Sequence, residues 1–370
     1  MKFVYFTHSL LSCWNHGNAH FLRGVLSDLQ HRGHDVEALE PEGNWSLANL
    51  RRDHGDQGLS PFRDAYPHLC PCAYAADADV AELIDGADIV IVHEWNEPAL
   101  VATLGRLRAG GGDFTLLFHD THHRAVSDPE AIRAFDLSAY DGILAFGEAL
   151  SEVYRRWGWS GRVWTWHEAA DIRLFHPPAT EQIRDGLVWI GNWGDGERTA
   201  ELENLLFRPA REAGQSLDVY GVRYPAEALA MLRSHGADYR GWAPNALAPS
   251  IFAHHLATIH VPRRYYATLL PGIPTIRMFE ALACGIPLIS APWDDSEQLF
   301  RPGSDYLVAR DGAEMRGHID AIAQDTDLRA SLVSHGLETI RSRHSCTHRV
   351  DELLAIVAAL RTADPIRSIA

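Results

Sequence analysis

The sequence predicts an α/β protein made of two doubly wound domains, each built on a parallel sheet. Short apolar runs of strand length alternate along the chain with segments whose apolar residues follow the helical period of 3.6. The chain has 370 residues, and such a length suits two domains of about 150 to 190 residues each. We place the first domain at residues 1–172, the second at 173–345 and a C-terminal helix at 346–370.

The first domain opens with a strand, a helix and a second strand. The strand at residues 3–7 leads through a polar loop at 8–18 into a helix with apolar residues on one face. Gly33 ends this helix, and Val36 begins the next strand. This order is typical of a doubly wound α/β domain.

Three later strands of the first domain, predicted at 87–92, 114–118 and 142–146, end in polar residues. His93 and Glu94 follow the first of these strands, and His119 and Asp120 follow the second. The carboxyl ends of parallel strands share one edge of the sheet, which is where such domains bind ligands. The sequence therefore predicts a site along this edge.

A glycine-rich loop opens the second domain. The apolar strand at 187–190 runs directly into Gly191, Asn192, Trp193 and Gly194, and Arg198 stands at the start of the next predicted helix, at 199–207. Glycine lets a backbone approach a ligand closely, and an arginine at that position can donate to a diphosphate. A tight turn without a ligand is the plainer interpretation of the loop taken alone.

The stretch at residues 271–290 predicts a loop, a short helix, a glycine stop and a buried strand. Pro274 suits a first helical turn, and Gly285 is placed to end the helix. The free N–H groups and the positive dipole end of this helix point at residues 270–273, which makes an anion site suited to a phosphate. Glu280 lies between one and two turns further on, where it can accept hydrogen bonds from the sugar hydroxyls of a nucleotide.

Residues 279–287, Phe-Glu-Ala-Leu-Ala-Cys-Gly-Ile-Pro, resemble the donor-binding motif of glycosyltransferases with the GT-B fold. The resemblance is closest to the CgeB-like branch of the family 1 and family 4 type enzymes and extends from about 187 to 308. It implies two Rossmann-like domains facing a cleft and a C-terminal helix returning to the first domain. Glu280 would bind the ribose of a UDP- or GDP-sugar. Many family 4 members carry a second Glu, which contacts the transferred sugar, where this chain has Gly272.

The resemblance also implies roles for other residues of the second domain. Trp242 would lie against the nucleobase, although plain packing is an equal interpretation. Arg263 would reach the β-phosphate or the sugar from a loop at 263–266, the alternative being a solvated surface arginine. The predicted donor-binding residues are Gly191, Asn192, Trp193, Gly194, Arg198, Trp242, Arg263, Gly272, Ile273, Pro274, Thr275 and Glu280.

The implied reaction moves a sugar from a nucleoside-diphosphate sugar, UDP-type rather than GDP-type, to a hydroxyl on a small molecule or glycan. The helix dipole and Arg198 would stabilise the leaving diphosphate without a metal or a further cofactor. We assign His119 to a donor-sugar contact, with a structural role as the alternative, because it matches a family 4 histidine. Asp120 is our choice for a catalytic base, with Glu94 and His16 as rivals.

Residues 45–71 are polar and rich in Gly, Pro and Arg, so we expect irregular structure there. This segment either contributes to acceptor recognition or is a surface insertion.

Composition excludes several other classes of protein. A net charge of −16 argues against a nucleic-acid partner, and Lys2 is the only lysine, which disfavours lysine-based phosphate or pyridoxal chemistry. The five cysteines show no paired spacing that predicts disulfides or zinc. The 46% hydrophobic content without a long apolar run, and an N-terminus unlike a signal peptide, predict a cytoplasmic protein for which membrane association is not expected.

Three other functions are compatible with these patterns. The same fold and the same Glu serve nucleotide-sugar epimerases, and a non-catalytic nucleotide-sugar binder would have the same donor site. The third is a metallohydrolase, suggested by a cluster of potential ligands. These are His119, Asp120, His122 and His123, with His16, His20 and His93 on neighbouring loops.

Overall fold

The computed structural model describes residues 1–159, 161–180, 182–194 and 196–363, and the chain divides into two compact units. The first unit contains Met1–Cys13, Asn18–Glu168 and the chain from Cys346 onwards, and the second contains Trp14–Gly17 and Ala169–Ser345. The short segment Trp14–Gly17 therefore groups with the second unit, although the chain on both sides of it belongs to the first.

The first unit is built on a seven-stranded sheet. Its strands are β1 Lys2–Phe6, β2 Asp35–Pro41, β3 Cys72–Tyr74, β4 Ile89–His93, β5 Thr115–Asp120, β6 Gly142–Ala145 and β7 Val163–Thr165. The order is β3-β2-β1-β4-β5-β6-β7, with every neighbouring pair parallel. All residues of β4 and β5 are buried, as expected for central strands of a parallel sheet covered on both faces. Their register pairs His93 with His119, so the polar residues that end both strands lie side by side.

Helices connect these strands. They are α1 Ala19–His31, α2 Trp45–His54, α3 Ser60–Ala65, α4 Val80–Leu83, α5 Pro98–Ala109, α6 Arg124–Ser127, α7 Pro129–Arg133 and α8 Glu148–Tyr154, with a 3-10 turn at Asp56–Leu59 and a π turn at Arg155–Trp159.

The expectation of irregular structure at residues 45–71 was wrong, because α2, the 3-10 turn and α3 occupy most of this segment. The side chain of Asn44 caps α2 by accepting a hydrogen bond of 2.9 Å from the Leu47 N–H. Leu50 and Phe62 are buried. Buried apolar side chains and one helix cap thus stabilise helices in a segment whose composition is mainly polar.

The second unit is built on a six-stranded sheet. Its strands are β8 Leu187–Ile190, β9 Leu217–Tyr220, β10 Asp238–Gly241, β11 Ala257–His260, β12 Leu288–Ser290 and β13 Leu307–Val308. The order is β10-β9-β8-β11-β12-β13, and all pairs are again parallel. The chain order reverses direction at β8, which starts the sheet and lies between β9 and β11. The carboxyl end of β8 is therefore a topological switch point, the usual place for a ligand in such sheets.

The helices of the second unit are α9 Thr199–Leu202, α10 Arg208–Glu212, α11 Ala226–Ser234, α12 Ala248–Ala253, α13 Arg264–Leu269, α14 Ile276–Cys284, α15 Gly312–Gln324 and α16 Thr326–Arg343. A π turn at Glu203–Phe207 joins α9 to α10, and a 3-10 turn at Asn245–Leu247 precedes α12.

Two boundaries in the second unit differ from the sequence prediction. Most of the loop expected at 263–266 belongs instead to helix α13, Arg264–Leu269. Helix α14 begins at Ile276, so Pro274 lies just before the helix rather than in its first turn. Its other end agrees with prediction, because Gly285 ends α14 in the left-handed conformation with φ 64°.

The last helix, α17 Cys346–Ala363, belongs to the first unit and packs against α1. The Thr347 hydroxyl donates to Asp28 at 2.9 Å, and the Trp166 indole N–H donates to the Arg349 carbonyl at 2.8 Å. Val350 and Leu353 are fully buried. The prediction that this helix returns to the first domain is confirmed.

None of the helices in the described ranges combines the length and the apolar character needed to cross a membrane.

Candidate functional site

The amino end of α14 is kept free of its usual side-chain cap. Thr275 occupies the N-cap position with an extended backbone, yet its hydroxyl makes no capping bond to the helix. It lies instead 3.0 Å from Nε2 of His260. The first N–H groups of any helix lack intrahelical acceptors, so those of Ile276 and Arg277 point outward from a positive dipole end.

His260 determines how Thr275 is held. The Ser290 hydroxyl donates to the Ala291 carbonyl at 2.7 Å, so its oxygen accepts from Nδ1 of His260, 2.8 Å away. This pattern assigns the proton to Nδ1 and leaves Nε2 to accept from the Thr275 hydroxyl. Burial, with smaller contributions from the charges of Arg198 and Arg277, lowers the pKa of His260 to about 3. The ring is therefore neutral at physiological pH.

Sequence reasoning missed His260. Its signal was present, because a histidine at the carboxyl end of an apolar strand such as β11 occupies a ligand-binding position of the fold. Only the structure shows that its ring contacts Thr275.

Arg198 holds the glycine-rich loop together. Its buried guanidinium donates to the Val261 carbonyl at 2.5 Å and to the Asn192 carbonyl at 2.6 Å. Burial lowers the pKa of Arg198 to about 10, so the group still carries its charge at neutral pH. The Nε atom has no acceptor within the described residues. Gly194 has φ 81°, and a Cβ there would lie 3.2 Å from that Nε atom. Glycine thus keeps the backbone close to the guanidinium, although Asp195 of this loop lies outside the described residues.

The other loop residues serve different purposes. The Asn192 amide oxygen accepts from the Val222 N–H at 2.9 Å, and its amide nitrogen donates to the Asn15 side chain at 2.9 Å. The Gly191 carbonyl accepts from the Tyr224 hydroxyl at 2.8 Å. Trp193 is a core residue, and its place among the donor-binding residues remains a prediction.

The loop before α14 uses its own N–H groups. The Gly272 N–H donates to the Asp294 carbonyl at 2.6 Å, and the Ile273 N–H donates to the Leu270 carbonyl at 3.3 Å. Ile273 and Pro274 are buried. The donors left at this end are the N–H groups of the first turn of α14, and the assignment of Gly272, Ile273 and Pro274 to donor binding remains a prediction.

Gly272 is required by its surroundings. It has φ 83°, and a Cβ there would lie 2.6 Å from Oε1 of Glu297. Because a backbone with that φ favours glycine, the position resists a side chain for two reasons.

Glu280 is completely buried, and its carboxylate already has partners. Asn245 donates to Oε1 at 2.7 Å, and Arg277 forms an ion pair with Oε2. A buried carboxylate requires such compensation because desolvating an unpaired charge is costly. The sequence placed Glu280 facing a nucleotide, whereas in this structure Arg277 covers one of its oxygens.

Trp242 and Arg263 lie near the same elements. Trp242 follows β10 and is half-buried. Arg263 precedes α13 and is ion-paired with Glu197, so it is not the solvated surface arginine considered as its alternative. Their assignments to the nucleobase and the phosphate remain predictions.

The polar residues that end β4 and β5 form a buried cluster in the first unit. Asp120 accepts from the Tyr154 hydroxyl at 2.6 Å and from the His122 N–H at 3.0 Å, and burial raises its pKa to about 6. Glu94 lies 3.3 Å from the Arg124 guanidinium. Burial first, and the charge of Asp120 second, hold the pKa of Glu94 well above its usual value.

His119 lies deeper in this cluster. Its Nδ1 is hydrogen-bonded to the Tyr5 hydroxyl, and its ring packs edge-on against Trp166 with centroids 4.8 Å apart. Burial lowers its pKa to about 3. Neither His119 nor Asp120 is exposed in this structure, so their roles as sugar contact and base remain predictions that require the cluster to open. Glu94 is buried in the same cluster, whereas His16 belongs to the second unit and is not part of it.

Within the described part of the chain, no group of three His, Cys, Asp or Glu side chains is arranged to hold a metal ion.

Two all-parallel sheets, each covered by helices, with the C-terminal helix returned to the first unit, define the GT-B class of fold. Residues 198–355, which include the α14 motif, match the family described as "Glycosyl transferase-like". This match covers the functional elements at the amino end of α14.

Solved structures agree on the fold. Sucrose-phosphate synthase from Thermosynechococcus elongatus aligns with a TM-score of 0.66 and 12% identity, over 98% of this chain and 100% of that one. HepE of Anabaena, in complex with UDP and glucose, gives a TM-score of 0.64 and 12% identity, over 97% and 100%. An alpha-glucosyltransferase in complex with UDP and a 13-mer DNA aligns with a TM-score of 0.72 and 12% identity, over 97% of this chain and 99% of that one. At such identities the likeness concerns the fold alone.

A comparison with curated protein sequences gave no significant match. The chain thus has the GT-B fold, and residues 198–355 match a glycosyltransferase-like family. Membership of the CgeB-like branch remains a prediction.

Proposed function

We propose that the second unit binds a nucleoside-diphosphate sugar, UDP-type rather than GDP-type, and that the enzyme transfers the sugar to a hydroxyl of a small molecule or glycan. The diphosphate lies at the amino end of α14, and the first unit is the acceptor side. Transfer requires no metal ion.

One observation carries this proposal: the N-cap hydroxyl of α14 is held away from its own helix by His260. A threonine at that position normally caps the helix, so withholding it leaves the N–H groups of Ile276 and Arg277 for an external anion. The charges of Arg198 and Arg277 both act on His260. Arg277 lies in the first turn of α14, and Arg198 donates to the carbonyl of Val261, the residue after His260.

The arrangement suits a leaving diphosphate. Negative charge develops on the diphosphate as the glycosidic bond breaks, and the fixed N–H groups of α14 and the buried Arg198 stabilise it without rearrangement. Nε of Arg198 has no hydrogen-bond partner among the described residues and lies in a buried environment, where electrostatic interactions are stronger than in water. These groups take the place that a divalent cation has in other transferases.

The solved structures support the choice of donor. HepE of Anabaena was crystallised with UDP and glucose, and an alpha-glucosyltransferase was crystallised with UDP and DNA. For this chain a nucleic-acid acceptor is not expected, because its net charge is −16 and DNA is bound through clustered cations.

Calorimetric titration of the purified protein with UDP and GDP, each with and without EDTA, tests the proposal. We expect UDP to bind more tightly than GDP, with no effect of the chelator. Glu280→Ala should weaken UDP binding by about 1 to 3 kcal/mol, through lost charge-assisted hydrogen bonds. Absence of binding by either nucleotide, or UDP affinity unchanged in Glu280→Ala, would contradict the donor site.

Turnover separates the remaining functions. Incubation with a panel of UDP-, GDP- and dTDP-sugars, followed by chromatography, should yield free nucleoside diphosphate, by hydrolysis alone or by transfer when an acceptor is present. Interconversion of the nucleotide sugar without release would indicate an epimerase. Binding without any turnover across acceptors would indicate a non-catalytic binder, and activity lost in EDTA together with bound zinc would indicate a metallohydrolase.

A further inference from the structure

Arg277 lies near the amino end of α14, beside a buried carboxylate. It lies in the first turn of α14, and its guanidinium pairs with Glu280, one turn further along the same helix. A cation near the amino end of a helix is unfavourable because it meets the positive end of the dipole. An anion must therefore accompany Arg277, and in the described structure this anion is Glu280.

The pairing does not use every N–H donor of Arg277. Nε of Arg277 has no hydrogen-bond acceptor among the described residues, and 15% of its side chain remains exposed. Glu280 has no exposed surface and receives its second contact from Asn245. Of Arg277, Glu280 and Asn245, the arginine is thus the least buried.

The guanidinium also lies close to the capping position. Its charge contributes to the lowered pKa of His260, whose ring contacts the Thr275 hydroxyl at 3.0 Å. An arginine offers five N–H donors in a planar fork that matches phosphate geometry. The Arg277 side chain therefore has a set of donors that either a carboxylate or a phosphate can accept.

We propose that Arg277 is a positioning residue that exchanges partners when the donor binds: it leaves Glu280, binds the diphosphate, and so frees the carboxylate for the ribose hydroxyls. The inference rests on the proposed function and adds a specificity to it. The site is fully available only to a ligand that carries both a diphosphate and a ribose. The diphosphate takes Arg277 away from Glu280, and the ribose hydroxyls replace Arg277 at the Glu280 carboxylate.

The test compares UDP with uridine, which has the ribose but lacks the phosphates, on the full-length protein by competition calorimetry. For Arg277→Gln we expect the Kd of UDP to rise about 10- to 100-fold, the value of a charge-assisted hydrogen bond. The Kd of uridine should stay the same or fall, because Glu280 is no longer covered. Glu280→Gln should instead weaken uridine by a larger factor than UDP, because Arg277 is then free to bind the diphosphate.

Two further variants complete the design. Arg277→Lys keeps the charge but lacks the planar set of N–H donors. Its Kd for UDP should lie between those of the wild type and Arg277→Gln, and its Kd for uridine should equal that of the wild type. It serves even if Arg277→Gln fails to fold. Arg310→Gln removes an exposed arginine that pairs with Glu314 in the same unit, and both affinities should remain unchanged.

The outcomes are distinguishable from a failure of the proposed function. If the wild type binds neither UDP nor GDP, the donor site itself is wrong. If the wild type binds UDP but Arg277→Gln and Arg277→Lys weaken UDP and uridine equally, Arg277 only supports Glu280 and the exchange is overturned. Unchanged UDP affinity in both variants overturns it as well.

Discussion

The buried pair of Glu280 and Arg277 makes a quantitative prediction for the stability of the second unit. Glu280→Gln retains an oxygen for Asn245, which donates to Oε1 at 2.7 Å, but removes the charge that balances Arg277. Breaking a buried ion pair from one side costs about 3 to 5 kcal/mol. Because 15% of the Arg277 side chain is exposed, water screens part of the loss, and we expect the lower end of that range.

This loss is large enough to measure by calorimetry. In a domain of this size each kcal/mol lowers Tm by about 2 to 4 °C, so the transition of the second unit should fall by about 6 to 12 °C. A double variant, Glu280→Gln with Arg277→Met, should lose less than the sum of the two single variants, because it removes both charges together.

An exposed pair provides the control. Glu314→Gln breaks an ion pair with Arg310 in the same unit, and exposed pairs contribute at most about 1 kcal/mol. If Glu280→Gln is no more destabilising than Glu314→Gln, or if the double variant shows simple additivity, the charges of Glu280 and Arg277 are not coupled and our reasoning fails.

Two further predictions concern the two units separately. Gly272→Ala should lower the free energy of unfolding in urea by about 2 to 3 kcal/mol, and Gly303→Ala by about 1 kcal/mol. Both glycines have φ near 80°, but only a Cβ at position 272 contacts Glu297, at 2.6 Å. Equal losses in the two variants would show that this contact is harmless. Burial raises the pKa of Asp120 to about 6 in the folded protein. Protonated Asp120 is therefore favoured by folding, and its contribution to the free energy of unfolding is complete below about pH 4 and lost as the pH rises through about 6. Asp120→Asn should therefore gain stability relative to the wild type over that interval, and a difference independent of pH would refute the assignment.

The sequence identified the elements that lie next to each other along the chain. The α14 motif with its Gly285 stop and the strand ends at His93 and His119 follow from local patterns of apolar residues, glycine and polar residues. Such patterns are reliable because they reflect the periods of strands and helices. Where composition alone was used, at residues 45–71, the prediction failed, since the cap at Asn44 and burial of single apolar side chains outweighed it.

The sequence by itself determined the two-domain α/β fold, the glycosyltransferase resemblance and the helix that carries Glu280. Only the tertiary structure decided which partners its polar groups have: His260 holds Thr275, and Asn245, 35 residues away, reaches Glu280. The physical reason is that a buried polar group must find a hydrogen-bond partner wherever the packing brings one within about 3 Å. Distance along the chain does not determine that partner, so no local pattern could have predicted it.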